Sequence, residues 1–182
     1  MSTALLIIDV QDSFRKIPSW EGISDPDIAA KIARLVDHAR MKKHFIVWVL
    51  HADLGTRGPF DPANGLVQLQ PGLVPKSGEP VITKTSHNAF TTTNLQQMLT
   101  FRGVDTIQVA GIRTEQCVET TARLASDLGY EVELIKDATA THPLTVRGRE
   151  TPIPAMEVID QTCNVLSGRF AKITTIAEVL AS

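Results

Sequence analysis

The feature that most constrains the fold is a repeated alternation along the chain. Short apolar, β-rich runs at 4–8, 45–50, 80–84, 106–112, 131–135 and 171–176 are separated by stretches of helical periodicity. The helical stretches span 27–43, 94–102, 114–128 and 155–167, with a short one near 178–180. In the first, Ile28, Ile32, Leu35, Val36 and Ala39 recur at helical spacing. Strands alternating with helices imply parallel strands joined by right-handed crossovers. The strand runs are continuously apolar, the pattern of strands covered on both faces. The expected fold is therefore α/β, a three-layer αβα sandwich around a mostly parallel six-stranded sheet. At 182 residues the chain suffices for one such domain, 1–182, and is too short for two ordinary ones.

Charge and cysteine content exclude several classes. A formal net charge of −2 gives no strong pull towards nucleic acid or an anionic membrane. The first apolar run has no basic region before it and stops at Asp9, so it is expected to be a buried strand, neither a leader nor a membrane span. Two cysteines make no disulfide framework, and reduced thiols in a cytoplasmic setting are expected. No Cys-x-x-Cys occurs, which weakens a redox reading. A nucleotide- or flavin-binding module, or a non-catalytic interaction protein, is the reading from another class. Against the former, no Gly-x-Gly-x-x-Gly follows the first run and the turn from Asp9 to Phe14 holds no glycine.

Ligands of open α/β sheets bind beyond the carboxyl ends of the strands. Three chemistry-bearing residues stand at such ends: Asp9 after Leu6-Ile7-Ile8, Lys84 after Val81-Ile82-Thr83, and Cys117 in Gly111-Ile112-Arg113-Thr114-Glu115-Gln116-Cys117-Val118. Cys117 falls in the first helical turn after a strand, where the helix dipole and free N–H groups favour a thiolate. A thiolate attacks a carbonyl carbon to give an acyl-enzyme. Asp9 could move the protons and Lys84 could hold the carboxylate and add positive charge. Backbone N–H groups of the turn, that of Cys117 included, could face the oxyanion. Taken singly, each has a bland reading: a packed cysteine, a turn-capping acid, a solvated lysine. Cys163, within an amphipathic helical pattern, reads as packing. The Gly- and Pro-rich stretch 52–79 and the segment 139–154 are the expected walls or lids of a site.

Together with Lys84-Thr85-Ser86-His87-Asn88-Ala89-Phe90 and Asp9-Val10-Gln11, these motifs resemble the isochorismatase-like cysteine hydrolases, a superfamily that includes nicotinamidases, N-carbamoylsarcosine amidases, ureide hydrolases and isochorismatases. The resemblance implies a catalytic triad of Asp9, Lys84 and Cys117, and a non-proline cis peptide at Ile112–Arg113. It places the Arg113 and Cys117 amides in an oxyanion hole, and Gln11, Phe14, His51, Phe90, Ile112 and Arg113 around the substrate. Phe14 and Phe90 have an equally good core reading, and His51 reads as a pocket wall or a packed ring. Metal-binding nicotinamidases carry Asp-x-His and a further His after the second strand; here the stretch from His51 to Gly58 has one His and one Asp in the reverse order. No metal and no other cofactor are expected. A retained Cys117 favours amide or ureido C–N hydrolysis over the vinyl-ether chemistry of isochorismatases. The Arg113 side chain is expected at the pocket mouth, favouring a polar or anionic substrate group. The expected partners are a small-molecule substrate and other copies of the chain, as a dimer or higher, with Trp20, Phe60 and Leu66 as interface residues, Trp20 and Phe60 being equally suited to closing the pocket.

Overall fold

The computed structural model describes residues 2–148 and 150–182. Six strands form one sheet: β1 (Thr3–Ile8), β2 (Phe45–His51), β3 (Val81–Lys84), β4 (Thr106–Ile112), β5 (Glu131–Ala140) and β6 (Lys172–Thr174). Their order is β3-β2-β1-β4-β5-β6, and every neighbouring pair is parallel. The order reverses beside β1, which pairs with β2 on one side and β4 on the other; this is the switch point at which such sheets open a crevice.

Helices cover both faces of the inner strands β1, β2 and β4, which bury both rows of side chains, whereas β3 at the sheet edge leaves Val81 and Thr83 exposed. One face of the sheet carries Ala4, Leu6, Ile8, Val47, Val49, Ile107 and Val109 against α2 (Leu95–Phe101), α3 (Glu119–Asp127) and α4 (Ala155–Leu166). The alternate residues Leu5, Ile7, Ile46, Trp48, Ala110 and Ile112 pack on α1 (Ile28–Met41) and α5 (Ile176–Ala181). Along α1, Ile28, Ile32, Leu35, Val36 and Ala39 form the buried stripe that their spacing predicts. A capping box starts α5: Thr175 Oγ1 accepts from the Glu178 N–H, and the Glu178 carboxylate accepts from the Thr175 N–H. Among the described residues no helix is long and apolar enough to cross a membrane.

The structure differs from the sequence pattern in three respects. β5 runs on to Ala140 although Lys136 and Asp137 interrupt its apolar run. A register shift between Val109 and Gly111 of β4 absorbs the extra residues. Lys136 pairs with Asp160 of α4, and Asp137 accepts the Ile176 N–H at the start of α5, so both charged groups are served outside the core. β6 is shorter than expected, because the chain turns into α5 at Ile176. Short 3-10 turns at Asp12–Lys16, Pro18–Gly22 and Pro62–Asn64 occupy stretches that show no period.

Candidate active site

β1, β3 and β4 deliver three reactive side chains to one place. Asp9 follows β1 directly; its N–H still bonds the Val49 carbonyl of β2 at 2.9 Å, but its φ of 54° breaks the strand and turns the chain. A non-glycine residue in this region is uncommon, aspartate being among the more tolerant, and such conformations concentrate at functional sites. Next to it, Gly111 of β4 has φ 134°, and a Cβ there would stand 2.0 Å from the Ile8 carbonyl oxygen. Only glycine lets the ends of β1 and β4 approach this closely. The Ile112–Arg113 peptide that follows is cis. The chain then enters a single π-helical turn, Thr114–Val118, which carries Cys117 and leads into α3.

Lys84 and Asp9 are fully buried, and Lys84 Nζ stands 2.8 Å from Asp9 Oδ2. The same ammonium donates to Cys117 Sγ at 3.3 Å. The Asp9 carboxylate also faces the Cys117 thiol closely enough to accept its hydrogen bond, which places it to take up that proton. Burial raises the Asp9 carboxyl above its ordinary range, against the opposing pull of Lys84. Burial, together with the Asp9 charge, pushes the Cys117 thiol up to about 12. Desolvation and a facing carboxylate thus act against the thiolate that the helix start favours. The resting cysteine is a thiol beside a carboxylate able to receive its proton.

A cavity of about 230 Å³ opens on this cluster, lined by Asp9, Phe14, Ile17, His51, Asp53, Phe60, His87, Arg113, Gln116 and Cys117. Of the expected residues, Asp9, Phe14, His51, Arg113 and Cys117 lie on the wall, while Lys84 sits behind Asp9 and Cys117. Phe14 and Phe60 meet edge to face, their centroids 4.9 Å apart. His51 and Lys84 are register partners at the ends of β2 and β3, so their side chains share a face, and His51 Nδ1 lies 3.2 Å from Lys84 Nζ.

Three expected wall residues are elsewhere. Gln11 is buried and works on the backbone: its Oε1 accepts the His51 N–H at 2.7 Å and its Nε2 donates to the His51 carbonyl at 3.0 Å. With β1 already broken at Asp9, the amide substitutes for the missing strand neighbour. Phe90 packs in the core over Tyr130, their centroids 6.3 Å apart. Ile112 belongs to the opposite core, because β4 points it at the α1 face. Trp20 and Leu66 are half-buried, as is the cavity residue Phe60.

Sequence reasoning missed Ile17, Asp53, Gln116 and His87. His87 lies in the stretch after Lys84 that carries the resemblance, and Gln116 precedes the thiol; both could have been assigned on proximity. Ile17 and Asp53 come from segments whose folding is not local. The loop 52–79 is anchored by Asp61, which accepts from the Arg57 and Ala63 N–H groups, and by bonds from Asp12, Ser13 and Gln70 N–H to the Gln68, Leu66 and Val10 carbonyls. Behind Phe14 lies His142, stacked on it at 6.1 Å, with both ring nitrogens unpartnered among the described residues. Burial and the Arg113 charge lower its pKa to about 4, so it is neutral. Among the described residues no group of three or more His, Cys, Asp or Glu side chains is placed to hold a metal ion.

Comparison with known proteins agrees with this geometry. Residues 3–178 match the isochorismatase domain. Streptothricin hydrolase of Streptomyces noursei is 34% identical over 155 residues, 84% of this chain and 60% of that protein. Ureidoacrylate amidohydrolase RutB of Variovorax paradoxus is 26% identical over 171 residues, 75% of this chain and 68% of that protein. The crystal structure of a cysteine hydrolase from Pseudomonas syringae pv. phaseolicola matches with a TM-score of 0.89 at 26% identity, covering 98% of this chain and 91% of that one. A family match over nearly the whole chain, on the fold that the sheet order describes, places this protein in the isochorismatase family of hydrolases.

Proposed function

We propose that the protein is a metal-independent cysteine hydrolase that cleaves the C–N bond of a small amide or ureido substrate. The observation that carries the reading is the buried contact of one ammonium with both a carboxylate and a thiol at the floor of a cavity. An ion pair with no solvent exposure is costly to build, and replacing it with apolar residues is often neutral or stabilising, so its presence beside a thiol favours a chemical role. The names of the amidohydrolase and cysteine hydrolase relatives support the same class.

The chemistry follows from the arrangement. Cys117 Sγ attacks the substrate carbonyl carbon while its proton passes to Asp9, so thiolate forms only as the C–S bond does. Lys84, bridging both groups, holds them in register and offsets the charge that moves between them. The Arg113 and Cys117 backbone N–H groups are the oxyanion donors in this reading. As the tetrahedral intermediate collapses, the C–N bond breaks and Asp9 returns the proton to the departing nitrogen. Water then gives a proton to Asp9 and its oxygen attacks the thioester; the C–S bond breaks and the sulfur recovers the proton. The cavity volume suits a substrate of a few functional groups, with the Phe14–Phe60 wall for its apolar part and Arg113 for a polar or anionic end. The working assembly in this proposal is a homo-oligomer in the cytoplasm, with size-exclusion chromatography with light scattering as its check.

Ammonia release from a panel of small amides, ureides and carbamoyl amino acids tests the reading. Turnover by the wild type that Cys117→Ala abolishes supports it. Turnover that survives Cys117→Ala overturns it in favour of chemistry without a thiol, such as vinyl-ether hydrolysis.

A further inference from the structure

Lys84 has three N–H bonds to place, and its ammonium lies where water does not reach. Two neighbours are Asp9 Oδ2 and Cys117 Sγ; the third is His51 Nδ1 at 3.2 Å. An ammonium only donates, so Nδ1 must be the unprotonated nitrogen of the ring and the proton must sit on Nε2. That nitrogen lies 2.9 Å from Asp53 Oδ1, an acceptor for the N–H. The chain Asp53–His51–Lys84 therefore has one consistent polarity, in which the carboxylate selects the imidazole tautomer and the imidazole completes the ammonium's coordination.

The backbone supports the same arrangement. His51 is fixed at the end of β2 by the two hydrogen bonds from Gln11 and by its register with Lys84. Its ring lies near parallel to that of His87, centroids 6.5 Å apart, and is inclined to that of Phe60 in an edge-type contact at 6.0 Å. A ring hydrogen-bonded at both nitrogens is oriented, not merely packed.

We infer that His51, with its tautomer set by Asp53, is a positioning residue that aims the Lys84 ammonium at Asp9 and Cys117. The inference rests on the reading of Lys84 as the group that unites the carboxylate and the thiol for hydrolysis. Without an acceptor at the Nδ1 position, one N–H of a buried ammonium is left unpaired. Such a group is costly, and it turns towards another acceptor, carrying positive charge away from the sulfur.

The test reads the thiol directly and needs no substrate. Iodoacetamide labelling of Cys117 is followed at pH 9 by peptide mass spectrometry, with Cys163 as the internal control and thermal unfolding to confirm the fold. His51→Leu is expected to label at Cys117 about tenfold more slowly than wild type, the change that one unit in thiol pKa produces. His51→Asn, whose amide oxygen can stand near the Nδ1 position, is expected to restore labelling to within about twofold of wild type. Asp53→Ala, which frees the tautomer, falls between the two. Equal labelling of wild type and His51→Leu would overturn the proposal, as would a His51→Asn variant as slow as His51→Leu. Where a substrate from the amide panel is turned over, a lower kcat with unchanged KM in His51→Leu supports the positioning role, and a raised KM with unchanged kcat marks His51 as pocket wall only. A protein that hydrolyses nothing but shows the labelling pattern sinks the hydrolase reading and leaves the positioning role intact.

Discussion

Two places in this molecule bring together a cysteine, a lysine and an aspartate. One is Asp9–Lys84–Cys117 at the carboxyl edge of the sheet; the other is Lys136 and Asp160 beside Cys163, where α4 packs on β5. In both, burial raises the thiol, to about 12 for Cys117 and about 11 for Cys163, and in both the lysine opposes and the aspartate reinforces it. The thiols alone do not distinguish the two. The ion pairs do: Lys84–Asp9 has no exposure on either side chain, whereas Lys136 and Asp160 are 38% and 54% exposed. Solvent screens the second pair, and nothing requires its charges to act on the sulfur. Among the described residues a hydrogen bond from the ammonium to sulfur belongs to the first set alone, and a cavity opens on its thiol. Residue types in proximity do not make a site; enclosed charges with space above them do.

The largest test of this contrast is turnover. Cys117→Ala is expected to lower kcat/KM on any substrate found by at least about 10³-fold, as removal of a nucleophile does elsewhere. Cys163→Ala is expected to leave it unchanged. Parity between the two variants would break the comparison. Next in size is stability. Removing one partner of a buried pair strands the other, so Lys84→Met should cost about 3 kcal/mol in urea unfolding, and Asp9→Asn in addition should recover part of it. Lys136→Met, at the surface, is expected within about 0.5 kcal/mol of wild type.

The third test uses the thiols as reporters of their neighbours. The Asp9 charge is one of the causes that raise Cys117, while Lys84 acts the other way. Asp9→Asn therefore lowers the thiol's pKa, and iodoacetamide should label Cys117 about tenfold faster at pH 8, roughly one unit's worth of thiolate. The same variant removes the proton acceptor and should abolish turnover. A thiol that becomes more reactive to alkylation as the enzyme dies separates the acid–base role of Asp9 from simple loss of the fold. Asp160→Asn should change Cys163 labelling by less than about twofold, because water already screens that charge.

The difference between the two clusters also shows what could be seen in the chain beforehand. Asp9, Lys84 and Cys117 are legible because each stands at or just beyond the carboxyl end of an apolar strand run, where parallel sheets place ligands. Gly111 was visible as part of a motif, though the reason it must be glycine, the Ile8 carbonyl 2.0 Å from an added Cβ, is tertiary. The pocket wall was legible only in part. Phe14 and Phe90 looked alike in the sequence, and only the packing of Phe90 on Tyr130 and of Phe14 on Phe60 sorted them. The resemblance places Gln11 at the pocket, yet beyond the break at Asp9 its side chain serves the backbone of His51. The thiol shows a related contrast: a helix start, which favours thiolate, is a local feature, while the desolvation that acts against it comes from every element packed around it.

Salt gives the smallest effect and the finest discrimination. Charges in contact with water are screened over roughly a Debye length, about 10 Å at 0.1 M and about 3 Å at 1 M, while a pair sealed from solvent feels little of this. Whatever Lys136 and Asp160 contribute, a few tenths of a kcal/mol for an exposed pair, should therefore fade as NaCl is raised. A double-mutant cycle on Lys136 and Asp160, measured by urea unfolding in 0.1 M and 1 M NaCl, should give a coupling that shrinks towards zero. The cycle on Lys84 and Asp9 should give a coupling several times larger that changes little between the two salts. If the Lys84–Asp9 coupling fell with salt as the other does, water would have access to that pair. The enclosed charge that separates this site from its exposed counterpart would then be lost, and with it the physical ground for assigning chemistry to Cys117 rather than Cys163.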